Sequence, residues 1–281
     1  MRSGIVFLKL AILPVLVLIA AVFPLQAEGR EVVVRPGSSI QAALDAARPG
    51  DVISLASGTY AENVVIKVSN ITLKAATNGE ATMSSNNQSL AVVRVSGANG
   101  VRVRGLTLIG PAKAALLIEN SKAVMVKDVT AMGAVSGIHL DGSSGSILYG
   151  NTLRENNTGI YLHRSFDNKV IKNIADNNAE KGAFLLYSDS NVFIMNSFSY
   201  NVWDGINILV ARSNTFVSNV VVNNTYPIVD NNPGENLFDS NRTLRRIYFV
   251  LPVVLIYMGV VLYLVEKRIF IYYQDRIKRV P

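Results

Sequence analysis

The chain has 281 residues, no cysteine and a formal net charge of +7. The absence of thiols excludes disulfides and thiolate metal sites, so packing alone must hold the fold. Residues 1–27 carry two basic residues, residues 28–241 hold 17 Lys/Arg against 18 Asp/Glu, and residues 242–281 hold 8 against 2; a body this close to neutral excludes nucleic acid as a partner.

The excess charge flanks apolar segments. Arg2 and Lys9 precede the run Leu10–Phe23, and Pro24-Leu25-Gln26-Ala27 leads to the acidic Glu28. This predicts a secretory signal over 1–27, cleaved after Ala27 or retained as an anchor. Next comes a short helix: Ser38 to Gln41 has capping-box spacing, Ile40, Ala43, Leu44 and Ala47 form one apolar stripe, and Pro49-Gly50 stops it.

A period of 22–23 residues organises the body. One ladder runs Gly105, Asp128, Asn151, Asn173, Asn196, Asn219, Asn241. A second runs Gly110, Gly133, Asn156, Asn178, Asn201, Asn224, and a third Gly137, Gly159, Gly182, Gly205. Apolar columns accompany them: Ile147, Val170, Phe193, Phe216, Phe238, and Ile138, Ile160, Ala183, Ile206. A repeat of that length fits one turn of a coil built from three short strands and three bends, stacked at about 4.8 Å. Asn and Gly suit left-handed bends, and stacked Asn amides can bond from coil to coil. The expected fold is therefore all-β: a right-handed parallel β-helix over 28–241, a solenoid of 22-23-residue coils, with the short helix capping its first coil.

Beyond the last ladder residue, Ile247–Val265 is nineteen residues without a charge, enough at 1.5 Å each to span a hydrocarbon core of about 30 Å. Arg242, Arg245 and Arg246 precede it, whereas Lys267, Arg268, Arg276, Lys278 and Arg279 follow. The expectation is a C-terminal transmembrane helix over 247–265 with a cytoplasmic basic tail, 266–281, lying along the inner surface and the β-helix periplasmic or extracellular. The span begins six residues after Asn241, a reach of at most about 20 Å, so the last coil stands close to the bilayer, and with no second cap legible its edge needs a cover.

Ile40–Ile66, IQAALDAARPGDVISLASGTYAENVVI, resembles the opening segment of pectin-lyase-like β-helix proteins, and with the repeats this resemblance spans nearly all of 32–241. Gly159–Asn196, closest over Gly182–Ser188 (GAFLLYS), is similar to the repeats of NosD-type proteins. Those are periplasmic β-helices that work with an ABC-type membrane complex in maturing copper-containing nitrous oxide reductase. That resemblance implies a scaffold or delivery role docked on membrane subunits. This chain departs from it in its shortness, its own C-terminal span and its few metal ligands.

Aligning coils on the Gly ladder predicts two outward rows, His139–Tyr161–Phe184–Asn207 and Asp141–His163–Leu186–Leu209, with Gly142, Arg164, Tyr187 and Val210 at the adjoining bend. Uronate epimerases and lyases need a base at C5, an acid opposite it and a cation on the carboxylate. His139, Tyr161, His163 and Arg164 are the catalytic candidates for that chemistry. β-Helix mannuronan epimerases resemble this set, but their Asp-Pro-His signature is absent here. Asp141, Phe184, Leu186, Tyr187 and Leu209 are the candidates for binding, the apolar ones as a contact surface. No cofactor or metal site is expected, since two histidines and Asp141 make at most a weak copper or zinc site. The leading expectation is a membrane-anchored binding or scaffold subunit that docks an integral-membrane, ABC-type complex or presents a surface to polysaccharide. The alternative is a polysaccharide epimerase or lyase.

Overall fold

The computed structural model describes residues 29–85, 87–245, 263 and 267. Strands of three to six residues coil about nine times around one apolar core. A ten-stranded sheet runs from Glu31–Val34 to Leu237–Asp239, an eight-stranded sheet from Val64–Ile66 to Tyr226–Asp230, and a five-stranded sheet from Gly58–Ala61 to Thr152–Arg154. The third face continues as single bridges Thr152↔Ile174↔Ser197↔Val220 and ends in the pair Val220–Asn224 and Arg242–Arg245. Sheet neighbours come from successive coils, so pairing is parallel, with the right-handed crossover that twisted strands favour. The family of fold is the one the period predicts.

Helix α1 (Ile40–Asp45) covers the first coil through Ile40 and Leu44. Its N-cap is Ser39 rather than Ser38: the Ser39 hydroxyl accepts the Ala42 N–H at 3.1 Å. Gln41 does not close a capping box. Its side chain instead bonds both backbone groups of Val65, and Glu62 accepts the Ile40 and Gln41 N–H groups at 2.8 and 3.1 Å. The helix is thus sewn to the next coil, which satisfies its first amides.

The ladders need a one-residue correction. Lys127 pairs with Tyr149, which places Asp128 beside Gly150 and Val129 beside Asn151. The left-handed positions form the row Gly105, Asp128, Gly150, Lys172, Met195, Ser218, Ser240. The asparagines follow it by one residue, with Asn151, Asn173, Asn196 and Asn219 buried and Asn241 half-buried. Likewise Leu148, not Ile147, continues the column of Val170, Phe193 and Phe216. The cause is one 22-residue coil where the spacing suggested 23.

What the asparagines do is bond in series. The Oδ1 of Asn173 accepts the Asn151 backbone N–H at 3.0 Å and the Asn151 Nδ2–H at 2.8 Å. The same bonds recur from Asn173 to Asn196 and from Asn196 to Asn219. Asn156–Asn178–Asn201–Asn224 repeat the backbone bond at a second corner, and Asn168–Asn191–Asn214–Asn236 form a third ladder. The Gly137–Gly159–Gly182–Gly205 column sits inside strands. A Cβ on Gly182 would lie 2.7 Å from the Gly205 oxygen and 2.8 Å from the Asn201 amide nitrogen, so the residue is demanded by close approach.

Among the described residues no helix is long and apolar enough to cross a membrane. The expected signal over 1–27 lies outside the described residues. So do the span 247–265 and the tail 266–281, apart from Tyr263 and Lys267.

Candidate functional site

The eight-stranded sheet carries the candidate residues. Its strands Ser136–Asp141, Thr158–His163, Lys181–Leu186 and Asp204–Leu209 pair His139↔Tyr161↔Phe184↔Asn207 and Asp141↔His163↔Leu186↔Leu209. Ile138, Leu140 and their partners fill the interior, so alternation turns these two rows outward. The bend residues Gly142, Arg164, Tyr187 and Val210 all take left-handed angles, with φ from 46° to 59°.

Stacked coils stack rings. His139 and Tyr161 lie 4.4 Å apart at 21°, and Tyr161 and Phe184 5.1 Å apart at 9°. His163 lies 6.1 Å from Tyr161 and 6.4 Å from Tyr187, while its Nδ1 meets Asp141 Oδ1 at 2.9 Å. With Nδ1 engaged by the carboxylate, Nε2 is the nitrogen of His163 left for another partner.

His139 behaves differently. Leu117 precedes it in the row and Tyr161 covers it from the next coil, leaving it 8% exposed with Nε2 buried and unpartnered. Burial pushes its pKa down to about 4; Lys113 and His163 add to this and Asp141 and Glu119 oppose it, so the ring is neutral at pH 7. Burial also raises the Tyr161 phenol, helped by the Asp141 charge, and keeps it protonated.

Further along the same rows the surface becomes apolar. Phe184, Leu186 and Leu209 are half-buried, and Tyr187 and Val210 are exposed. Lys181 was missed by the sequence reading: its Nζ lies 5.3 Å over the Phe184 ring and 3.3 Å from Glu180. Its position one coil above Thr158 gave no signal without the fold. A groove of about 340 Å³ lies elsewhere, lined by Glu155, Asn157, Asn177, Tyr200 and Val202 among others, and includes none of the candidate residues. The candidate patch is a face.

A family model described as periplasmic copper-binding protein (NosD) matches residues 48–250. The chain belongs to the NosD family. No curated protein matches it. Among solved structures, this NosD-family chain is similar to three polysaccharide-acting enzymes. Against the mannuronan C-5 epimerase AlgE6 A-module of Azotobacter vinelandii the identity is 19% and the TM-score 0.50, covering 66% of this chain and 65% of that one. Against the periplasmic alginate epimerase AlgG the values are 16% and 0.54, covering 78% and 56%. Against pectate lyase Pel9A they are 15% and 0.54, covering 78% of each. The chain thus spans less than two thirds of either epimerase, and at these identities the likeness shows the β-helix fold alone.

The donor set of the described residues does not fit copper. Among the described residues no three His, Cys, Asp or Glu side chains converge to hold an ion. One histidine nitrogen is buried and solvent-free, and the other histidine is paired with Asp141.

Proposed function

We propose that this NosD-family chain is an extracytoplasmic, non-catalytic docking subunit, anchored through Ile247–Val265, which presents the outer face of its eight-stranded sheet to a membrane complex of ABC type. The observation that carries the reading is the apolar half of that face. Phe184, Leu186, Tyr187, Leu209 and Val210 stand side by side on the paired strands and at the adjoining bend, exposed or half-exposed. Such a patch on a soluble body marks a contact surface. The periplasmic placement in the family's description and the basic residues after the apolar segment support the same side of the membrane.

A second reading, epimerase or lyase action on a uronate polymer, is favoured by one observation: the Asp141–His163 pair beside Tyr161 has the base-and-orienter arrangement of acid–base sites. Against it, the pair lies on an open face that does not exclude water. Capture of the tagged full-length chain from solubilised native membranes separates the two. The docking reading expects a stoichiometric membrane partner. That partner is retained by the His163→Ala/Arg164→Ala double variant and reduced at least tenfold by Leu186→Asp/Leu209→Asp. Turnover of a uronate polymer that disappears in the His163/Arg164 variant, with no partner captured, would overturn docking in favour of catalysis.

A further inference from the structure

The C-terminal end of the tube carries a second surface that the docking face does not include. Where helix α1 closes the first coil, the last coil ends in three strands, Tyr226–Asp230, Leu237–Asp239 and Arg242–Arg245, that no further strand among the described residues pairs with. At the corner between the second and third faces, large side chains crowd outward. Tyr200 is 53% exposed, Trp203 55%, Tyr226 44% and Leu244 51%. Tyr226 donates its backbone N–H to Trp203 on the coil before, the Arg245 guanidinium sits 5.2 Å over the Tyr226 ring, and Tyr200 donates its backbone N–H to Val222, whose strand partner is Leu244. All four residues of Arg242–Arg245 are exposed.

This composition is unlike the docking face. Trp and Tyr rings beside exposed arginines are what membrane–water interfaces select, because such rings place an apolar body and a polar edge at headgroup depth. Charge agrees: Asp204, next to Trp203, is buried and accepts the Asn207 amide, Glu180 is paired with Lys181, and Asp239 and Glu235 belong to the ten-stranded side. Connectivity agrees as well. One residue, Arg246, separates Arg245 from the nineteen uncharged residues Ile247–Val265, so the corner can lie no more than about 7 Å of chain from that segment.

We infer that the Tyr200–Trp203–Tyr226–Leu244 corner, with Arg242 and Arg245, rests on the headgroup layer of an anionic bilayer, so that the lipid surface covers the open end of the β-helix and sets its tilt. This rests on the anchored reading of Ile247–Val265, and not on the docking of any protein partner.

Trp203 is the chain's only tryptophan and reports on the corner without labelling. Full-length protein reconstituted in phosphatidylglycerol/phosphatidylcholine vesicles should show Trp203 emission quenched at least twofold by lipid carrying a shallow nitroxide, with matching protection from aqueous iodide. In phosphatidylcholine alone, in 1 M salt, or in the Arg242→Glu/Arg245→Glu variant, the nitroxide quenching should fall by about half, as expected for a screened headgroup attraction. The salt arm acts on unaltered protein and guards against misfolding of the variant. If the protein floats with the vesicles but iodide quenches Trp203 as fully as in lipid-free detergent, the corner faces water and the inference is wrong. A chain that fails to float refutes the anchor, and the inference with it; neither result touches partner capture.

Discussion

His139 is the residue whose surroundings depart furthest from what its outward register suggested. Its neighbours in the row, Leu117 and Tyr161, bury it, and the neutral ring is the form that survives. A base whose folded pKa is depressed binds fewer protons folded than unfolded between about pH 6.5 and pH 4. Stability from this residue is therefore full above pH 6.5 and falls as the pH drops to about 4. The difference amounts to about 3 kcal/mol. Urea unfolding of wild type and His139→Leu at pH 7 and pH 4.5 should show a smaller acid loss in the variant; equal losses would place the His139 ring in solvent. The outward register of Tyr161, His163 and Phe184 was legible because a period of 22 or 23 places like positions in line. The burial of His139 was not, because it depends on what flanks the row from other coils.

Among the elements, the Asn ladders hold successive coils together at their corners. Each interior rung is wholly buried, and its amide satisfies backbone groups of the preceding coil and bonds the side chain of the next rung: the Asn196 oxygen takes the Asn173 N–H, and its Nδ2 donates to Val170 O and Asn219 Oδ1. Asn196→Ala strands several of these groups in the core at about 1–3 kcal/mol each. Asn196→Ala should lower the thermal midpoint well below that of Asn241→Ala, an end rung with one neighbour. Equal midpoints by circular dichroism would show that the bonds contribute nothing beyond what water supplies. The sequence displayed these asparagines and their spacing, but assigned them to the left-handed bends. Lys172, Met195 and Ser218 occupy those angles instead. Residue type alone does not decide the matter, because the coil pays for a strained bend with the bonds of the next residue. The third ladder, Asn168 to Asn236, was overlooked because all four of its rungs lie outside the columns that set the register.

At the scale of the molecule, a solenoid is stabilised by neighbour contacts and its two ends differ. Residues Ile40–Asp45 close one end, and the described chain leaves the other open. Amide exchange of the detergent-solubilised protein should be slowest in central strands such as Leu148-bearing Ile147–Tyr149 and fastest in Leu237–Asp239 and Arg242–Arg245. Uniform protection along the axis would mean that the last coil is covered by something other than lipid. The sequence by itself determined the period, the parallel coil, the capping helix and the two outward rows, because each follows from spacing along one strand of logic: residues one coil apart must coincide. Only the tertiary structure decided which residues the rows bury, how rings and ladders pair, and that Tyr200, Trp203, Tyr226 and Arg245 share a corner. Those contacts join residues from different faces and coils, whose distances no linear spacing encodes.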